Sequence, residues 1–327
     1  NMGVYRTQVR DDQSVIVNLN PGRQGHTYAQ TWLKKGQPAP IAWVVAAEPT
    51  VQLATVANLP LGVDEITIAG GLQGAPIELV QAKTSDLLVP AHAEFIIEGE
   101  VLPGEMEIEG PFGESAGYMS RAAPKPVARI TAITHRNDAI YYGLSSQMPP
   151  SESTVLQSLA NAPVIMHMLR NDFGEQTVCD AHIDLMFGGG GAHIIIAMKT
   201  LATEHAKKVG KLVAEHTLLK RITIVDEDVD PHDPLDLDWA MSSHYDPQRD
   251  TEIIGGFSTP MSHAIASDAQ GRKLGSKIVI DATRSLDTGA TSLPSREIME
   301  KARVSWDAAG LPEFDIPRSL KYRLDRS

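Results

Sequence analysis

A single cysteine, Cys179, occurs in 327 residues, so no disulfide can form within the chain. That usage fits a reducing cytoplasm, the expected location. No apolar run approaches the roughly 20 residues that a bilayer-spanning helix needs. The opening Asn1-Met2-Gly3-Val4-Tyr5-Arg6 has no basic stretch leading into an apolar one, so it does not read as a signal peptide. It runs almost directly into a strand-like pattern and does not read as a natural beginning. Positive charge is also short: 29 Lys and Arg stand against 41 Asp and Glu, a net charge of −12. Such a balance excludes nucleic acid as the main partner, because phosphate binding needs a basic surface. A small anion in a local basic pocket remains compatible with it.

The length is enough for two domains with cores of their own. Residues 1 to about 146 look β-rich. Strand-like runs recur at Ser14–Leu19, Ile41–Ala47, Glu65–Ala69, Ile77–Ala82, Glu94–Val101, Ala128–Thr134 and Ala139–Leu144. Gly and Pro punctuate them, and such spacing suggests a barrel or sandwich. Helices are expected at His26–Lys35 and Pro49–Ala57. Met148-Pro149-Pro150-Ser151-Glu152 marks a boundary, with Ser151 placed to cap the helix that follows. The expected domains are therefore 1–148 and 149–327. In the second, helical spacing covers Glu152–Arg170, with a kink or break at Pro163. A strand at His193–Met198, a helix at Thr203–Leu219 and strands at Ile222–Val225 and Ile278–Ile280 form a βαβ pattern of an α/β domain. A last helix is expected at Arg296–Ala308, in a tail of the kind that docks on a neighbouring subunit.

Several stretches carry chemistry. Glu109 and Glu114 flank the turn Gly110-Pro111-Phe112-Gly113. Such a turn can bring two carboxylates and an aromatic ring to one side of a cavity, where partial burial makes one of them a proton donor near neutral pH. Solvated charges at a hairpin tip are the competing reading. Arg6 offers a planar fork of donors suited to a carboxylate or phosphate, or else lies on a wet strand face. Glu65 enters the apolar run after Asp64; pointing inward it needs a partner such as a cation, and at a strand end it simply meets water. Lys273 and Lys277 bracket a Gly/Ser loop before a strand, a weak phosphate-contact pattern. Gly188-Gly189-Gly190-Gly191 precedes a strand rather than opening a helix and lacks the P-loop Lys-Ser/Thr, so it reads as a turn. Asp226-Glu227-Asp228-Val229-Asp230 lacks the Gly and terminal Glu of a calcium loop and reads as the polar exit of a strand.

Taken in order, these pieces resemble the UbiD decarboxylases: Asn1-x-Gly3-x-Tyr5-Arg6, then Asp64-Glu65, then Asp86-Leu87-x-Val89-Pro90-Ala91-x-Ala93-Glu94 with Glu98-Gly99. Glu109-Gly110-Pro111-Phe112-Gly113-Glu114-x2-Gly117-Tyr118 and Gly275-Ser276-Lys277 complete the set. The resemblance runs over nearly the whole chain. It implies an α+β fold, a split β-barrel like that of flavin reductases followed by an α/β oligomerisation domain. The implied cofactor is prenylated FMN, its phosphate held through Mn²⁺ (or Mg²⁺) with K⁺ nearby. Asn1 and Glu65 fall on metal-ligand positions, and Gln24 or His26 falls near a third. Val4, Tyr5, Arg6, Asn18, Leu19, Asn20, Arg23 and Gln24 fall on flavin-contact segments, and Lys277 matches a lysine near the flavin phosphate. Arg6, Glu109 and Glu114 match the acid–arginine–acid network of the active site.

The implied reaction is reversible, non-oxidative decarboxylation of an aromatic, heteroaromatic or α,β-unsaturated acid. Losing CO2 leaves a negative charge for which no amino acid is an electron sink, so a cofactor is required. The implied roles are Arg6 orienting the substrate carboxylate, Glu114 protonating the vacated carbon and Glu109 holding Arg6. A flavin prenyltransferase would supply the cofactor, and the assembly would be a homodimer or homohexamer. Family members carry more than a hundred residues ahead of the position of Asn1, so a fragment, a partner chain or a truncation is expected. The competing readings are a split-barrel flavin protein without decarboxylase activity and a non-catalytic assembly subunit.

Overall fold

A computed structural model describes residues 2–20, 24–60, 62–186, 192–258, 274–289 and 291–313. They gather into two compact units, one of residues 1–164 with 185–190 and one of 165–184 with 191–327. The architecture is mixed α+β, and no helix among the described residues is long and apolar enough to cross a membrane.

The first unit is built on an antiparallel sheet. Its strands are β1 (Thr7–Asp11), β2 (Ser14–Val17), β3 (Ala39–Val45), β6 (Phe95–Glu109) and β7 (Ala123–His135), in the order β1-β2-β7-β6-β3. β4 (Leu79–Gln81) and β5 (Leu88–Pro90) form a separate pair. β6 and β7 stay paired from Phe95↔His135 to Glu109↔Ala123, with register shifts on the way, so a long ribbon extends beyond the other strands. Among the described residues the sheet does not close, and β1 and β3 are its edges. Val17, Leu19, Ala29, Ala39, Val101 and Ala128 form one core, with α1 (Gln24–Leu33) laid over it. A second core gathers Val51 and Ala54 of α2 (Pro49–Val56) with Ala69 of α3 (Glu65–Gln73).

The strand expected at Glu65–Ala69 is helix α3. Ile66 and Ile68 alternate as they would in a strand, but Asp64 caps the helix by accepting from the Ile66 N–H at 3.1 Å and from Thr67 Oγ1 at 3.0 Å. Gly74, at φ +74°, closes the other end in the left-handed conformation. No strand forms at Ala139–Leu144 either. There Ile140 N–H donates to Glu94 Oε2 at 3.0 Å and Tyr142 donates to Gln52, so side chains take the place of a ladder. α4 (Glu152–His167) passes through Pro163 and runs into a π-helical turn at Met168–Asp172. Ser151 stands ahead of α4; its N–H donates to Thr154 Oγ1 at 2.9 Å.

The second unit is a five-stranded sheet of β8 (Val178–Ile183), β9 (His193–Met198), β10 (Arg221–Asp226), β11 (Thr251–Ser258) and β12 (Leu274–Ala282), in the order β11-β12-β10-β9-β8. β9, β10 and β12 are parallel; β8 and β11 run antiparallel at the edges. All six residues of β9 are buried, as befits a strand covered on both faces. α5 (His205–His216) packs so closely on β12 that a Cβ at Gly210 would collide with Val279. α6 (Pro234–Ser243), capped by Asp233 and opened by Pro234, covers Ile195, Val225 and Ile280 on the other side. α7 (Arg296–Ala308) has no buried residue. Asp226 and Asp228, at the exit of β10, bond Arg284 at 3.2 and 2.7 Å, consistent with a polar strand end. The four-glycine run lies outside the described residues.

His193 sits buried within β9. Arg221 Nη2 donates to its Nδ1 at 2.6 Å, so the ring proton is on Nε2, which donates to Thr223 Oγ1 at 2.9 Å. Burial, and then the Arg221 charge, push its pKa down to about 4, against the opposing pull of Asp184. An unfolded chain takes up this proton near pH 6.5, and the folded one does not. Folding stability from this group is therefore complete above pH 6.5 and lost as pH falls toward 4, by roughly 2–3 kcal/mol between pH 7 and 4.5. Urea titrations at both pH values are expected to show that loss for the wild type and a smaller one for His193→Gln.

Candidate active site

Arg6 precedes β1 and is held there by its carbonyl, which accepts from Asn18 N–H at 2.9 Å and prolongs the β1/β2 pairing. Its guanidinium meets two carboxylates more than a hundred residues away. Nε donates to Glu109 Oε1 at 2.6 Å and Nη2 to Glu109 Oε2 at 2.7 Å, a two-point fork. Nη1 donates to Glu114 Oε1 at 2.7 Å. The Phe112 ring lies 5.1 Å from the guanidinium carbon, in cation–π range. The side chain of Glu109 is fully buried, whereas those of Arg6 and Glu114 keep 24% and 25% exposure. The bond to Glu109 is the leading cause that raises the Arg6 pKa, and burial opposes it. With both acids ionised the three groups carry one net negative charge.

The local backbone makes this meeting possible. Glu109 is the last β6 residue paired with β7, opposite Ala123. Gly110 then turns the chain at φ +84° into a cis peptide with Pro111. The tip closes on itself: Phe112 N–H donates to Ser120 Oγ at 2.9 Å, Ser120 N–H to Phe112 O at 2.6 Å and Glu114 N–H to Tyr118 O at 2.9 Å. Gly117, at φ +85°, is a position where a side chain would be strained, and a Cβ there would also strike Met148 Sδ.

The other expected site residues are placed as follows. Tyr5 OH accepts from Gly25 N–H at 2.8 Å, and its ring fills the space where a Cβ on Gly3 or Gly25 would go. Asn18 is buried, and its Oδ1 has no hydrogen-bond partner among the described residues. Leu19 belongs to the core beside Val17, while Val4 and Asn20 are exposed. Gln24 begins α1. Glu65 opens α3, is 5% exposed, and accepts Met2 N–H through Oε2 at 3.1 Å. Asn1 and Arg23 lie outside the described residues. Lys277 lies in the second unit, 1% exposed, where its ammonium donates to Ala214 O and Thr217 O at the end of α5. The Phe257 ring lies 4.2 Å from that nitrogen, and burial lowers the Lys277 pKa. Among the described residues no three His, Cys, Asp or Glu side chains gather as a metal site. Phe112 is the aromatic ring expected beside the two acids; Ser120 and Gln8 also belong to the site and were not anticipated, and Gln8 shares strand parity with Arg6, which was the available signal.

Residues 1–149 match the 3-octaprenyl-4-hydroxybenzoate carboxy-lyase Rift-related domain, and residues 154–282 match the C-terminal domain of the same carboxy-lyase. The UbiD-class enzyme HmfF from Pelotomaculum thermopropionicum, solved in complex with FMN, is 30% identical at a TM-score of 0.79, over 92% of this chain and 67% of that one. An evolved dimeric form of HmfF in complex with prFMN is 31% identical at 0.75, over 89% and 63%. Vanillic acid decarboxylase from Sedimentibacter hydroxybenzoicus, in closed form, is 26% identical at 0.79, over 93% and 65%. The chain thus spans about two thirds of the length of these relatives. With both domains matched and the acid–arginine–acid cluster assembled, the chain belongs to the UbiD family of prenylated-FMN-dependent decarboxylases.

Proposed function

We propose that this chain carries the active site of a decarboxylase that removes CO2, reversibly and without net oxidation, from an aromatic, heteroaromatic or α,β-unsaturated acid. The observation that carries the reading is Arg6 gripped between Glu109 and Glu114. Hydride transfer by a flavin reductase has no use for an arginine between two acids. The vanillic acid decarboxylase relative makes phenolic acids the first substrates to try.

The residues present fit a flavin beside Arg6. Asn18 buries an amide oxygen with no partner among the described residues, one backbone hydrogen bond away from Arg6, where a donor on the flavin would satisfy it. Val4, Tyr5, Asn20, Arg23 and Gln24 would complete the contacts. Glu65, a buried carboxylate beside the chain start, would hold the divalent ion, Mn²⁺ or Mg²⁺, together with Asn1, and K⁺ is expected nearby. Lys277 spends its ammonium on the end of α5, and we assign it there before any phosphate contact. The open sheet of the first unit would be part of a split barrel forming a flavin domain of residues 1–148, followed by an oligomerisation domain of 149–327. A flavin prenyltransferase would supply the cofactor, in the cytoplasm, to a homo-oligomer such as a dimer or hexamer.

Bound prenylated FMN supplies the electron sink for the departing CO2. The protein's part follows from donors and charges. Arg6 has five N–H groups and spends three on glutamates, which leaves two for a substrate carboxylate. Glu114, held by a single bond and partly open to solvent, would pass the proton to the vacated carbon. Glu109 keeps the guanidinium plane fixed through its fork, so the remaining donors stay aimed.

Glu114→Gln is expected to lower CO2 release about 10²–10⁴-fold while flavin affinity stays within about twofold. Full turnover by the loaded variant would remove Glu114 from its role. Glu109→Gln breaks the fork inside a buried site and is expected to lower unfolding free energy by roughly 1–3 kcal/mol, the upper figure tempered by the partial exposure of Arg6. Denaturant titration of the full chain checks it, and an unchanged midpoint would mean that the fork is not structural.

A further inference from the structure

The open sheet is bridged where its backbone ladder is missing. β1 and β6 are separated in the sheet by β2 and β7. Yet alternate side chains along β1 reach the end of β6. Arg6 forks onto Glu109, Gln8 Oε1 accepts Gly110 N–H at 2.9 Å, and Arg10 Nη2 meets Glu107 at 2.6 Å. The three bridges differ in kind. The Arg10 pair is exposed on both sides and contributes little. The Arg6 fork is chemistry. The Gln8 bond alone fixes backbone: it takes the first amide past the last β6/β7 pair, at the residue where φ turns positive.

We propose that Gln8 is a positioning residue for decarboxylation, setting the register at which Glu109 meets Arg6 and so the share of the guanidinium left for Glu114 and substrate. The proposal rests on the decarboxylase reading for its kinetic consequences but not for the bond itself. Glu109 and Gly110 are adjacent, so a Gly110 amide held by Gln8 holds the Glu109 Cα as well. Both bonds of the fork are short, and a shift of under an ångström in that Cα breaks at least one of them. Arg6 then redistributes its donors toward Glu114, and the contact on which proton delivery depends changes with it. Misplacing a reacting group by about 1 Å costs on the order of 10²-fold in rate.

The test compares wild type, Gln8→Met (similar length, no acceptor) and Gln8→Glu (acceptor kept), each as the full chain loaded with prenylated FMN. For Gln8→Met, kcat is expected to fall about 10–100-fold with KM and flavin occupancy within about twofold, and the acid limb of the kcat–pH profile to move. A residue that only supports the fold would leave that limb in place. Gln8→Glu is expected to return kcat to within about fivefold of wild type. Unchanged kcat and profile in Gln8→Met would overturn the proposal. Amide hydrogen exchange reads the bond independently of turnover: Gly110 should be protected in the wild type and exchange at least about tenfold faster in Gln8→Met. Random-coil exchange of Gly110 in the wild type overturns the proposal even if Gln8→Met does not fold. Should the wild type decarboxylate none of the acids tried, the functional reading fails, and the exchange result alone decides whether Gln8 sets the register.

Discussion

A buried carboxylate must be paired, and in the first unit Arg6 meets Glu109 with a two-point fork. Much of the architecture around the site can be understood as what that pairing demands. β6 and β7 extend past the rest of the sheet as a ribbon, which carries Glu109 to the strand edge where Arg6 stands. Gly110 turns the chain at once, so the tip folds back and delivers Glu114 to the remaining side of the same guanidinium. Phe112 then covers the face. One cation thereby organises two acids of different exposure. The buried one is bound at two points and fixes geometry. The half-open one is bound at a single point.

The second unit solves a different problem, that of burying polar groups within a sheet. Lys277 and His193 are both buried in strands of the parallel sheet, and both have pKa values pushed toward neutrality of charge by burial. Lys277 keeps its proton useful by donating to carbonyls at the end of α5, where a helix leaves acceptors unsatisfied and favours a cation. His193 instead stays neutral, relaying from Arg221 to Thr223. These contacts tie α5, β9, β10 and β12 together from within.

Much of this was legible in the sequence, and the failures have physical causes. Period-two apolar alternation located β2, β3, β6 and β7, and Pro49 and the Arg296–Ala308 pattern located α2 and α7. Glu65–Ala69 misled because Ile66 and Ile68 alternate, although the capping Asp64 and the terminal Gly74 were readable as helix signals. Asp233-Pro234 announced α6 in the same way and was passed over. β8 escaped because it is short and a register shift between Val178 and Asp180 breaks its pairing, although Ala181 and Ile183 alternate with Asp180 and His182; β11 escaped because Gly255 and Gly256 interrupt its run. Arg6, Glu109 and Glu114 were found as a set through resemblance to a family; local pattern alone favoured solvated charges. The partner of the Lys277 ammonium could not be read at all, since nothing in Gly275-Ser276-Lys277 reveals a helix terminus 60 residues earlier in the chain.

The central claim is that the Arg6 cluster delivers a proton to the carbon that has just lost CO2. The most direct measurement is product analysis in D2O, using the full chain co-expressed with a flavin prenyltransferase and offered a panel of phenolic, heteroaromatic and acrylic acids. The account requires CO2 release from at least one acid, with one deuterium at the carbon that bore the carboxylate. Flavin-loaded protein that releases no CO2 from any of them, or that yields product without deuterium at that carbon, would contradict it.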